Sequence, residues 1–114
     1  VAANAIAVTV SGGHLEGVGA ADGAFPNSTG LEARFMGEVG HAVARQRLDI
    51  ETANALILAL LEKYEHVFSL PGGNPGARFD QAYDRSKLEP LPVWQTMYEK
   101  TKHEINEFGL LHLE

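Results

Sequence analysis

Residues 5–23 read AIAVTVSGGHLEGVGAADG, and the reading of this stretch decides the fold. Ala5 to Val10 form an apolar, partly β-branched run without polar alternation, bounded by Ser11-Gly12-Gly13. Such a run fits a strand buried on both faces, as in parallel sheets and barrels, with a helix as the competing reading. From Gly12 to Gly40 the chain places eight of its twelve glycines. A segment this rich in glycine turns sharply or lets another backbone or a ligand come close.

Downstream the pattern turns helical. Thr29-Gly30-Leu31-Glu32 matches a capping box, in which the Thr29 hydroxyl takes the N3 amide and Glu32 reaches back to the N-cap amide, so a helix is predicted from about Leu31. Leu31, Phe35, Val39 and Ala42 recur at helical spacing, and Gly37 and Gly40 leave notches for a second element at the cost of helix propensity. Asp49 suits the N-cap of a second helix running to about His66, with Ala53, Ile57, Leu60, Leu61 and Tyr64 on its core side. SLPGGNPGA, residues 69–77, is a run of turn formers that opens a linker over 69–92. Within it Arg78 to Asp84 suggest one helical turn, Phe79 and Tyr83 lying on one side. Pro92 suits the first turn of a last helix over 93–109. Trp94, Met97, Tyr98, Thr101, Ile105 and Phe108 form its face, and Gly109 fits a left-handed end. The expected fold is α/β: a strand and glycine-rich loop over 1–30, two helices over 31–68, the linker, and the terminal helix.

At 114 residues and 45% apolar content the chain has room for one domain and one core. A formal charge of −6 without a Lys/Arg cluster argues against nucleic acid, whose binding draws on cationic contacts. No apolar run approaches the ~20 residues that span a bilayer, and no signal-peptide pattern opens the chain, so a soluble cytoplasmic protein without a membrane partner is expected. Without cysteine there is no disulfide framework, thiolate nucleophile or cysteine-ligated metal. The start at Val1, running at once into apolar sequence, reads as the middle of a protein, and Leu113-Glu114 reads as a cloning remnant.

The chemical candidates are few. Gly17-Val18-Gly19 resembles the start of a dinucleotide fingerprint, but the third glycine position holds Asp22 and no helix opens there, which excludes a Rossmann site. His14 and Glu16 are two apart, so in an extended loop both point the same way. They either fix the loop through neighbouring amides or serve as an acid–base or ligand pair. A zinc deaminase site is excluded because it needs a later cysteine pair. His41, His66 and His103 read as surface or helix-end residues. Asn27-Ser28-Thr29 matches a glycosylation sequon but reads as turn and cap. Arg34 with Glu32 and Glu38 reads as helix-surface pairing.

The segments HLEGVGAADG, PNSTGLEAR and GNPGARFDQAYD, with the closing WQTMYEKTKHEINEFGL, are together more specific. Over about Ala5 to Leu110 the chain resembles the C-terminal quarter of the monomethylamine:corrinoid methyltransferases. The resemblance implies a (β/α)₈ barrel enzyme of methylamine metabolism and methanogenesis, with pyrrolysine in the barrel mouth to capture and orient methylamine. The methyl group then passes to the cobalt of a cognate corrinoid protein. It places Ala5–Val10 as a late barrel strand and residues 11–23 as its βα loop on the C-terminal face, so that His14, Glu16 and Asp22 face substrate or partner. Pyrrolysine and its companions lie upstream in that family. This segment is therefore expected to carry no catalytic residue, no metal and no directly bound cofactor, the corrinoid being held by the partner, and to be inactive alone. Expected partners are the corrinoid protein, the rest of the barrel, and a second copy in a homo-oligomer. The alternative is a non-catalytic binding module of that family that contacts a corrinoid protein. An unrelated helical domain is the remaining reading.

Overall fold

The opening apolar run is a helix. A computed structural model describes residues 1–17, 21, 25–68 and 71–114 of the chain, and in it α1 spans Ala2–Val10, which corrects the strand expected at Ala5–Val10. Alanines at 2, 3, 5 and 7 supply the residue that loses least on entering a helix. The helical turn brings Ala5 and Ile6 together, both fully buried, as α1 packs on the second and third helices. A strand here would need a partner, and the two strands among the described residues pair only with each other.

α2 spans Leu31–Arg45. Its start differs from the expected capping box in one half. Glu32 does reach back, accepting from the Thr29 amide at 3.0 Å and the Thr29 hydroxyl at 2.6 Å. The Thr29 hydroxyl, however, accepts from the Leu31 amide at 3.0 Å, because Gly30, left-handed at φ 88°, occupies the N-cap. Leu31, Phe35, Val39 and Ala42 are buried, with Met36 and Val43.

α3 spans Ile50–Tyr64, and the Asp49 carboxylate accepts from the Thr52 amide at 2.7 Å. Ala53 and Leu56 are its buried residues. Ile57 and Leu60 are half-buried, while Leu61 and Tyr64 stay exposed. A short 3₁₀ turn follows at Glu65–Val67.

The expected linker over 69–92 contains ordered elements. α4 covers Phe79–Ala82, followed by β1 at Tyr83–Asp84 and β2 at Glu89–Pro90. The strands pair antiparallel, Tyr83 opposite Pro90. Their turn is held by Asp84 Oδ1, which accepts from the Ser86 and Lys87 amides at 2.9 and 3.3 Å.

α5 spans Pro92–Asn106 with proline in its first turn, and Gly109 is left-handed at φ 70°. The C-terminal tail belongs to the core. Leu111 and Leu113 are buried, Asn106 exchanges two hydrogen bonds with the Leu113 backbone, and Gln46 does the same with His112. The described residues thus form a mostly helical unit with one small hairpin. The parallel sheet of a barrel is not found among them.

Candidate functional site

The opening loop leaves α1 through a tight turn in which the Gly13 amide donates to the Val8 carbonyl at 2.9 Å. Leu15 then turns inward. A Cβ on Gly40 would stand 2.5 Å from Leu15 Cδ1, so the notch in α2 is filled by this side chain. Its neighbours His14 and Glu16 are exposed, consistent with alternation along an extended segment around an inward residue. Asp22, the third candidate, lies outside the described residues. Since α1 is a helix, this loop follows a helix and not a barrel strand.

The far half of the same loop is fastened to the second glycine-rich segment. The Asn27 side-chain amide donates to the Pro75 carbonyl at 2.7 Å across 48 residues of sequence. Gly76, at φ 67°, lies so close that a Cβ on it would stand 2.8 Å from Ala21 Cβ and 3.3 Å from the Asn27 carbonyl oxygen. Gly30 meets the ring of Phe79, which stacks on Tyr83 with centroids 4.6 Å apart. The motifs PNSTG and GNPGARFDQAY therefore meet in space. Asn27, which in sequence reads as part of a turn, is a tertiary anchor, and no periodicity connects it to position 75.

A second concave feature lies on another side. Leu60, Tyr64, Phe68, Trp94, Met97 and Phe108 contribute to a mainly apolar groove of about 420 Å³. Trp94 and Phe108, expected as core aromatics, are half-buried and face it, whereas Tyr98 is buried. At its edge the Tyr64 hydroxyl donates to Glu104, and Lys63 lies 3.4 Å from the same carboxylate. The Tyr64 hydrogen bond and Lys63 hold Glu104 below the usual carboxylate range against the opposing effect of burial. A groove of this size and polarity suits a bulky apolar occupant and is mismatched to a one-carbon amine.

Between α2 and α5, Glu38 lies 3.0 Å from Arg34 and 3.3 Å from the buried Lys102. Arg34 also sits over the Tyr98 ring at 4.9 Å. Burial raises the Glu38 carboxyl, yet the Tyr98 hydroxyl and the two cations beside it outweigh that and leave it lowered. Burial, then Glu38, push the Tyr98 hydroxyl well above the ordinary tyrosine range. Every group in the cluster is occupied by a neighbour, which marks it as a clamp between helices. Among the described residues, no group of three or more His, Cys, Asp or Glu side chains is arranged to hold a metal ion. No helix among them is long and apolar enough to cross a membrane.

The family model described as monomethylamine methyltransferase MtmB matches residues 1–110. A monomethylamine methyltransferase MtmB from Methanosarcina mazei is 32% identical over 111 residues, covering 96% of this chain and 23% of that protein. MtmB1 from Methanosarcina barkeri is 32% identical and MtmB2 from Methanosarcina acetivorans 33% identical, each over 112 residues with the same coverage. The chain thus spans 23% of the length of these relatives. No solved structure matches it.

Proposed function

The chain belongs to the monomethylamine methyltransferase MtmB family, and from that premise we propose that it is the C-terminal segment of a corrinoid-dependent methylamine methyltransferase. In this reading the whole enzyme is a barrel protein that moves the methyl group of monomethylamine to the cobalt of a corrinoid carried by a partner protein. The strands and the pyrrolysine of such an enzyme lie outside this segment. The observation that carries the reading is the match over residues 1–110 to proteins of which this chain is 23%. The apolar groove and the exposed Phe68 are surfaces that the remainder of the enzyme would cover. A segment of this kind is inactive alone.

The loop carrying His14 and Glu16 is the part of the segment proposed to face substrate or partner. Its support is the exposure of both side chains around the buried anchor Leu15, rather than a place at the end of a barrel strand. Asp22 is assigned to the same loop from sequence alone. The test is His14→Ala and Glu16→Ala in the full-length enzyme. Each is expected to slow methyl transfer to the corrinoid protein at least about tenfold, or about 1.4 kcal/mol, with little change in melting temperature. Glu51→Ala, an exposed position in the first turn of α3, should change neither. Normal transfer by both loop variants would show that the loop only shapes the backbone.

A further inference from the structure

Two glycine-rich loops far apart in sequence are built as one body, and Asn27 joins them. Its carboxamide nitrogen donates to the Pro75 carbonyl at 2.7 Å, while Ala21, between His14 and Asn27 in sequence, lies against Gly76. Neither contact tolerates an ordinary replacement. Position 76 combines a left-handed φ of 67° with a Cβ site 2.8 Å from another Cβ, so a side chain would push the loops apart. The second loop is also folded against slippage, because the Asn74 carboxamide oxygen accepts from the Gly76 amide at 3.0 Å. It runs directly into Phe79, whose ring covers Gly30 at the start of α2. A hydrogen bond confined to loop shape would join near neighbours; this one fixes the position of one loop relative to the other.

We propose that Asn27 is a positioning residue that couples residues 71–77 to the loop bearing His14 and Glu16, so that both loops together form the surface that docks the corrinoid-carrying protein. This rests on the reading of the His14 loop given above. Asn27 touches neither substrate nor partner in this scheme. It acts through the placement of the two loops.

The experiment uses the full-length enzyme with monomethylamine and its corrinoid protein, comparing Asn27→Asp, Asn27→Gln and Gly76→Ala with His14→Ala. Asn27→Asp keeps the shape but removes the donor and sets a carboxylate against the Pro75 carbonyl. It should raise KM for the corrinoid protein about fivefold, with kcat at saturating corrinoid protein and KM for methylamine changed less than about twofold. Gly76→Ala should act in the same direction, and Asn27→Gln, which keeps the amide donor, should recover part of the loss. Hydrogen exchange should speed up in residues 11–17 and 71–77 together in Asn27→Asp. If His14→Ala impairs transfer while Asn27→Asp leaves KM for the corrinoid protein unchanged, the coupling is wrong and the loop reading stands. If Asn27→Asp lowers kcat and melting temperature together without a KM shift, Asn27 serves stability alone. If neither His14→Ala nor Asn27→Asp affects transfer, both ideas fail.

Discussion

Leu15 is seated on Gly40: its Cδ1 fills the space beside α2 that a Cβ at residue 40 would approach to 2.5 Å. The glycine therefore holds the opening loop against the helix through a contact that any side chain would displace. Thr9 Oγ1, 3.3 Å from the same Cβ site, closes it from the side of α1.

Gly37, three residues earlier on α2, supplies the control, since a Cβ there meets nothing within 4 Å. Gly37→Ala should therefore stabilise the chain by about 0.5–1 kcal/mol, the helix-propensity difference alone. Gly40→Ala gains the same propensity but displaces Leu15, so its stability should fall at or below that of the unchanged chain. Urea unfolding of the two variants gives the comparison. Equal stabilisation by both would mean that Leu15 is not held at Gly40.

The Tyr64–Glu104 pair sets a pH dependence with two limbs. Glu104 is lowered from its ordinary value of 4.5, first by the Tyr64 hydrogen bond. Its contribution is thus fully present above that value and is lost as pH falls through the folded pKa. Tyr64 is raised from its ordinary value of 10.0, first by Glu104. That contribution is present below the ordinary value and is lost as pH rises through the folded pKa. Tyr64→Phe should lower the melting temperature at neutral pH by a few degrees and flatten both limbs. Melting curves of the variant that keep the full acid and alkaline slopes would show that the pair contributes nothing.

The three long helices after the opening loop are legible in the sequence because their signals are local. Asp49 caps α3, Glu32 reaches back at the start of α2, and proline opens α5. The misreading of Ala5–Val10 has a physical origin: a short run buried on several sides shows no periodicity, and only its neighbours decide between helix and strand. Here those neighbours are α2 and α3. Leu61 and Tyr64 carry the spacing of a core face but line an open groove, since spacing identifies a face and not what covers it. Of the candidate site, sequence locates His14 and Glu16 in a loop, whereas the anchoring of that loop through Leu15–Gly40 and Asn27–Pro75 joins positions that no local pattern links.

The most direct test of the central claim is methyl transfer itself. Monomethylamine and the reduced corrinoid protein are supplied either to the 114-residue chain or to the full-length methyltransferase that contains it, and methylation of cobalt is followed by its absorbance change. The chain alone should give no transfer above the uncatalysed rate, and the full-length enzyme should methylate the corrinoid at an enzymatic rate. Turnover by the isolated chain, or a full-length protein that leaves the corrinoid unmethylated, would contradict the assignment.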